Sequence, residues 1–238
     1  MSKADLIQIF TDGAAKGNPG PGGYGVVISQ GDTVTELGSH KARTTNNEME
    51  LQAVVEALKV VAGTDATVAI YTDSKYVVQG ATGWIFGWIK NGWQTKAGSD
   101  VLNKQLWQAL QPLLQQVKIE WHKVPGHVGI IGNERADTIA SDFADKGQFN
   151  LYSGPLSAYG FDISDTSYDE AKAAERSAAR KRSAQKAYSY VSLVDGVVQT
   201  HQTWSECEKR VKGKSGTRFK KSLDAGNEKE IIADFGGK

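Results

Sequence analysis

Three β-like runs follow one another before any helical pattern appears, and this order most narrows what the chain can fold into. Leu6-Ile7-Gln8-Ile9-Phe10-Thr11 reads as a strand ending at Asp12. Residues 25–30 read as a second strand, and residues 33–39 as a third, joined to the second by a turn at Gly31-Asp32. After them the period changes. Residues 45–62 place Met49, Leu51, Ala53, Val54, Ala57, Leu58 and Val61 on a helical stripe, and 67–71 form an apolar strand ending at Thr72-Asp73. Short helices follow from Ser74, then a helix over 102–114, a strand over 117–124 and a last helix over 133–145. Sequential strands pair antiparallel through tight turns, whereas strands separated by helices pair parallel. The expected architecture is therefore α/β, a mixed five-stranded sheet with flanking helices.

Charge divides the chain. Residues 1–150 carry 13 Lys+Arg against 15 Asp+Glu, residues 151–238 carry 15 against 12, and residues 176–221 carry 12 against 3. An acidic first part and a basic later part suggest chemistry in one and polyanion holding in the other, the plainer alternative being a solvated basic surface. Turn-rich Asn150-Leu151-Tyr152-Ser153-Gly154-Pro155 marks the boundary, and residues 168–187 are rich in Ala, Lys, Arg and Glu with few large apolar side chains, the composition of a solvated helix. The expected division is a catalytic domain over 1–148, a partly helical basic linker over 149–187 and a small domain over 188–238. The single cysteine, Cys207, excludes a disulfide framework and a cysteine zinc site and fits a reducing, cytoplasmic setting. No apolar run approaches the ~18 residues of a membrane span, and the first residues lack a signal-peptide core, so no membrane is expected.

Four carboxylates stand where a core would not choose them. Asp12 and Asp73 each close an apolar strand, at the end of the sheet where α/β folds bind ligands. Glu50 sits between Met49 and Leu51 on its helix, and Asp137 lies four residues after Asn133 on one face of the last helix. Converging carboxylates raise one another's pKa unless cations neutralise them, and hard oxygen donors suit Mg²⁺ or Mn²⁺ rather than zinc. Taken singly, Asp137 could be a helix cap and Asp12 and Asp73 turn residues.

These strings resemble a known family. Ile9-Phe10-Thr11-Asp12-Gly13, Gly17-Asn18-Pro19-Gly20-Pro21-Gly22-Gly23-Tyr24-Gly25, Thr45-Asn46-Asn47-Glu48-Met49-Glu50-Leu51, Tyr71-Thr72-Asp73-Ser74, Gly126-His127-Val128-Gly129 and Asn133-Glu134-Arg135-Ala136-Asp137 are similar, in order and spacing, to type 1 ribonuclease H over about residues 4–145. The resemblance implies the ribonuclease H-like fold and hydrolysis of the RNA strand of RNA–DNA hybrids, leaving 5′-phosphate and 3′-hydroxyl ends. It implies two Mg²⁺ ions (or Mn²⁺) per site: Asp12 bridging both, Asp137 completing the side of the attacking water, and Glu50 and Asp73 the side of the leaving oxygen. His127 matches a mobile histidine that assists proton transfer or product departure. Asn18, Asn46 and Asn47 match amides that meet the RNA minor groove, and Arg43, Thr45 and Asn103 a pocket for a DNA-strand phosphate. Trp84 and Trp88 match an aromatic channel for the DNA sugars, although two Trp four apart on a helix also suit a core, as Trp93 does. The chain departs from its relatives in having only Lys90 and Lys96 in the segment between Trp84 and Asn103, where many are strongly basic, and Glu48 where many carry Arg. Fewer cations mean weaker hybrid binding by this part alone. Gly20-Pro21-Gly22-Gly23-Tyr24-Gly25 fits a dinucleotide fingerprint literally but precedes a β-rich run, not a helix, and fails that test.

Residues 188–236 resemble the small hybrid-binding, viroplasmin-like domain found in some ribonucleases H, which implies an α+β fold with a three-stranded antiparallel sheet and two helices. In known relatives it usually precedes the catalytic domain; here it follows. Trp204 and Phe219 match residues packing on DNA sugars and bases, Lys220 and Lys221 match phosphate ligands, and Tyr190 a residue near the RNA. Trp204 and Phe219 are also the size of side chain that a 50-residue core needs. Thr203-Trp204-Ser205-Glu206 reads as a capping box, with Cys207 buried behind it. The expected partner is an RNA–DNA hybrid, with the chain taken as a monomer. A transposase- or integrase-like enzyme is disfavoured by Glu50 in the first helix and by His127, and an inert hybrid-binding protein by the full carboxylate set.

Overall fold

The computed structural model describes residues 6–124, 129–166 and 186–236. The chain divides into two compact units, Met1–Ala173 and Ala174–Lys238.

In the first unit β1 (Leu6–Ala15), β2 (Gly20–Gln30) and β3 (Thr33–Thr44) form an antiparallel meander. Helix α1 (Asn46–Val61) then crosses to β4 (Thr67–Thr72), which lies parallel to β1. Helices α2 (Lys75–Gln79), α3 (Ile85–Lys90) and α4 (Lys104–Leu114) lead to β5 (Lys118–Lys123), parallel to β4. Helix α5 (Ile131–Lys146) follows, and β6 (Ser153–Pro155) pairs antiparallel with Thr33–Thr35, giving the order β5-β4-β1-β2-β3-β6.

Strand alternation sorts β1 between two cores. Ile7 and Ile9 pack with Leu51, Val54 and Leu58 of α1 on one face. Phe10 packs with Ala136, Ile139 and Phe143 of α5 on the other. Each such fully buried side chain contributes about 1.5–3 kcal/mol relative to exposure, so both helices are pinned mainly by these stripes. Thr45 caps α1, its hydroxyl accepting the Glu48 N–H at 3.3 Å.

Two glycines decide how closely the helices approach. A Cβ on Gly13 would stand 2.2 Å from the backbone nitrogen of Glu50, and one on Gly25 would stand 2.1 Å from the carbonyl oxygen of Ala136. Gly13 follows Asp12, and Gly25 pairs with Asp12 across the sheet. Backbone therefore meets backbone on both sides of that carboxylate.

The sheet has six strands where the sequence pattern indicates five. Ser153-Gly154-Pro155 is too short to alternate and has the composition of a turn; its proline is tolerated because the strand lies at the sheet edge. Residues expected to begin the linker are instead packed: Phe149, Tyr152 and Leu156 lie against the α5-side core, and Tyr159 and Ile163 are buried in it. Strand β1 runs on through Asp12 to Ala15, and β2 starts at Gly20, so the glycine-rich stretch is strand from Gly20 onward and residues 16–19 alone form the connection. Most of the helical segment expected over 168–187 lies outside the described residues.

In the second unit β7 (Ser189–Val194), β8 (Val197–His201) and β9 (Arg218–Ser222) form an antiparallel sheet in the order β8-β7-β9, with helices α6 (Trp204–Val211) and α7 (Ala225–Gly236). Alternation along β7 puts Val191 against Ile231 and Phe235 of α7, and Val194 against Cys207 and Val211 of α6, so the helices take opposite faces. Thr203 and Glu206 form the capping box: the Glu206 N–H donates to Thr203 Oγ1 at 3.3 Å, and the Thr203 N–H to Glu206 Oε2 at 3.2 Å. No helix among the described residues is long and apolar enough to cross a membrane.

Gly25→Ala should lift α5 from the sheet and destabilise the protein by about 2–3 kcal/mol, as overpacking of a tight interior does. A denaturant titration with an unchanged midpoint would refute that close approach.

Candidate active site

Asp12 stands near the end of β1, only 2% exposed. Glu50 projects from the second turn of α1, and Asp73 follows the last residue of β4, beside Ser74, whose hydroxyl caps α2 by accepting the Val77 N–H at 3.3 Å. One carboxylate oxygen from each of these three residues lies within 4.8 Å of the others. Asp137, from the second turn of α5, joins the group, its charge acting on both Asp12 and Glu50. The structure thus brings together all four carboxylates named from the sequence.

Burial, reinforced by the charges of Asp73 and Asp137, holds the Asp12 carboxyl well above the usual carboxylate range. Burial and the charges of Asp12 and Asp73 do the same for Glu50. Asp12 Oδ2 and Glu50 Oε2 are buried acceptors with no hydrogen-bond partner. Buried carboxylate oxygens without donors are costly, and an all-oxygen donor set of this kind is satisfied by a hard divalent cation. The residues present therefore fit a metal site.

The surrounding residues fall into three groups. Asn18, Arg43, Asn46 and Asn47 are exposed around the strand ends and the first turn of α1. Thr45 caps that helix, while the Asn103 amide donates to the Tyr76 hydroxyl at 3.2 Å. Asn103 and Glu48 line one polar hollow of about 450 Å³, and Glu48 is bound by Lys41 and by the Thr44 hydroxyl, the latter at 2.8 Å. Trp84 is exposed, and its ring lies 5.8 Å from that of Trp88, which is partly buried against the core, as is Trp93. Beneath them Trp107 is fully buried, 5.2 Å from Trp88, and donates its indole N–H to Tyr76 at 2.8 Å. His127 lies outside the described residues.

In the second unit Tyr190, Trp204 and Phe219 form one aromatic cluster, with ring separations of 5.6 and 5.2 Å. Trp204 is 39% and Phe219 51% exposed, so neither is the core of this unit; Val191, Val194, Cys207, Val211, Ile231 and Phe235 are. On β9 Lys221 stands opposite Tyr190, on the face of the cluster, whereas Lys220 stands opposite Val191 and so belongs to the other face of the sheet.

Sequence reasoning passed over Glu36 and Arg135. The Arg135 guanidinium donates to both carboxylate oxygens of Glu36, at 2.6 and 3.0 Å, two residues from Asp137. The alternation of β3 would have turned Glu36 inward with Val34, a buried charge that demands a partner. Glu134 also has a task, accepting the Gly129 N–H at 2.9 Å.

Residues 4–145 match a protein-family model described as RNase H. The chain is 50% identical over 142 residues to the "Ribonuclease H" of Bradyrhizobium sp. (strain ORS 278), covering 60% of this chain and 92% of that protein. It is 53% identical over 137 residues to that of Acidovorax sp. (strain JS42), covering 57% and 92%. Among solved structures it resembles that of LC9-RNase H1, "a type 1 RNase H with the type 2 active-site motif", at 31% identity and a TM-score of 0.57, covering 68% of this chain and 83% of that one.

Since Asp12 and Glu50 titrate above their unfolded values, their mutual repulsion weighs on the folded state at high pH and is relieved as pH falls through the raised values toward the ordinary carboxylate range. Without divalent metal, Asp12→Asn should therefore raise Tm by a few degrees at pH 8 and the gain should shrink on acidification. Mg²⁺ should raise the unsubstituted protein's Tm at pH 8. Thermal scans that place Asp12→Asn at or below the parent at pH 8 would contradict the strained cluster.

Proposed function

The chain belongs to the ribonuclease H family, and we propose that it cuts the RNA strand of RNA–DNA hybrids at the Asp12–Glu50–Asp73–Asp137 cluster, with two bound divalent ions. It is a ribonuclease H, a hydrolase of the endonuclease class that binds nucleic acid. The observation that carries the mechanism is the set of partnerless, buried carboxylate oxygens on Asp12 and Glu50, converging from two elements beside Asp73 and Asp137.

On this reading Asp12, Glu50, Asp73 and Asp137 would hold two Mg²⁺ or Mn²⁺ ions, Asp12 serving both, Asp137 completing the site on the side of the attacking water, and Glu50 and Asp73 the site on the side of the leaving oxygen. Such ions, when bound, supply Lewis acidity to the attacking and leaving oxygens of an in-line displacement. The protein's own contribution is to hold four like charges at one point before substrate arrives, so that little reorganisation is needed during reaction. The products carry 5′-phosphate and 3′-hydroxyl ends. His127 is assigned to proton transfer or product departure through its place in the family motif alone.

Exposed amides of Asn18, Asn46 and Asn47 suit the RNA minor groove, where the 2′-hydroxyl distinguishes RNA from DNA. Arg43, Thr45 and Asn103 are assigned to a DNA-strand phosphate, with Trp84 as an open ring face for the DNA sugars and Trp88 behind it. We assign the second unit as a viroplasmin-like hybrid-binding domain, with Trp204, Phe219 and Tyr190 stacking and Lys220 and Lys221 on phosphates. Its support is an exposed aromatic cluster in a stretch carrying 12 basic against 3 acidic residues. A second contact of this kind compensates for the sparse cations between Trp84 and Asn103 by raising effective concentration.

Cleavage of an end-labelled hybrid in Mg²⁺ tests both assignments on the full chain. Asp12→Asn should abolish cleavage while retaining hybrid binding; retained cleavage would sink the metal site. Trp204→Ala with Phe219→Ala should still cleave at saturating enzyme but bind about 10-fold or more weakly, given roughly 1–3 kcal/mol per stacked ring. Lys220→Ala with Lys221→Ala should make log affinity depend less steeply on log salt, by about one to two in slope. Unaltered affinity and slope in both would remove the second unit from hybrid binding.

A further inference from the structure

The network around Glu36 is larger than the helix it touches requires. Its side chain is fully buried on β3 and takes four hydrogen bonds. Arg135 provides two of them; the Tyr159 hydroxyl donates to Oε1 at 2.6 Å and the Tyr152 N–H to Oε2 at 2.9 Å. Burial would push the Glu36 carboxyl up, but these donors and the Arg135 charge outweigh it and hold it below the usual range. The Arg135 guanidinium in turn lies over two rings, 4.7 Å from the centroid of Phe149 and 4.8 Å from that of Phe161. A forked, stacked guanidinium is fixed in plane and direction in a way that a lysine would not be.

The geometry of α5 gives that fixation a consequence. Residues two apart on a helix point about 200° away from one another. Asp137 faces Asp12 on β1, while Arg135 is held on the other flank by Glu36 on β3. Two anchors on opposite flanks set the rotation of a helix about its axis, which a smooth apolar stripe does not. Asp137 also needs holding, because its neighbours at the cluster are acids that repel it. The Gly25 contact sets how deep α5 lies, and the Arg135 anchor sets which way it faces.

We propose that Arg135, gripped by Glu36 and by the strap formed by residues 149–161, is a positioning residue that sets the place of Asp137 in the acidic cluster. The proposal rests on Asp137 acting at that cluster, as the proposed function has it. The strap is then part of the catalytic machinery, and a truncation near residue 148 would disable the enzyme for reasons unrelated to the second unit.

The test uses the full chain with Glu36→Gln, Tyr159→Phe and Arg135→Lys. Single-turnover and steady-state cleavage would be measured at temperatures well below each variant's own Tm, and Mg²⁺ binding by calorimetry. Displaced positioning groups typically cost 10- to 100-fold in activity or metal affinity. The expected result is a kcat about 10-fold lower for Glu36→Gln and Arg135→Lys and a smaller loss for Tyr159→Phe, with KM for hybrid within about twofold and weaker Mg²⁺ binding. Leu110→Ala, a core truncation in α4, serves as a control that loses Tm with kcat retained. If Glu36→Gln fails to fold, Tyr159→Phe and Arg135→Lys decide the matter. Unchanged kcat and Mg²⁺ affinity in every folded variant, or a loss matched by Leu110→Ala at equal Tm, overturns the proposal. Asp137→Asn in the same series separates the two levels: full activity there would refute the role of Asp137 itself.

Discussion

The site depends on backbone approaching backbone on both sides of Asp12. Four carboxylates from four elements can meet only if α1 and α5 lie directly on the sheet at that point, and a single Cβ at Gly13 or Gly25 would prevent it. The repulsion gathered there opposes folding, with Asp12 and Glu50 both held above their ordinary pKa. Apolar stripes on opposite faces of β1 supply the opposing force. The first unit is thus a scaffold whose packing energy is used to hold like charges together until cations arrive.

That force is helped by polar clamps away from the cluster. The Glu36–Arg135 pair is buried and fully hydrogen-bonded, the circumstance in which a buried ion pair is tolerated and directional. Around it the strap of residues 149–161 adds two rings, a hydroxyl and a backbone N–H. On the opposite side Trp107, Tyr76, Trp88 and Trp84 form a graded stack, from a fully buried indole bonded to a phenol outward to an exposed ring. Rigid support of this kind lets Trp84 present a ring face to solvent without losing its place.

Much of this is legible in the order and kind of the amino acids. The succession of strands and helices, Asp73 at the end of its strand, Glu50 within an apolar helical stripe, and the capping box at Thr203 and Glu206 are all local patterns that survive into the fold, whereas β1 runs on past Asp12, where the sequence pattern ends it. The sixth strand is not legible, since three residues of turn-like composition carry no period. Nor is the division of labour among the tryptophans: Trp84 and Trp107 look alike in sequence, and only the crossing of α4 under the π-helical turn at Gly80–Trp84 buries one and exposes the other. Trp204 and Phe219 are equally suited to a core or a surface; Cys207 and Val211 on α6 and Ile231 and Phe235 on α7 fill the core against β7 and leave them outside.

Architecture and the chemical character of the site were therefore written in the chain itself, because hydrophobic period and residue type are properties of neighbouring residues. The partnerships between distant residues were settled only by folding: Glu36 with Arg135, 99 residues on, and with Tyr159, 123 residues on. The same holds for Gly25 beneath Ala136 and for the strap that holds α5. Such pairs depend on how two elements cross and how closely they approach. Those distances are set by packing of the whole unit, and no stretch of sequence carries them alone.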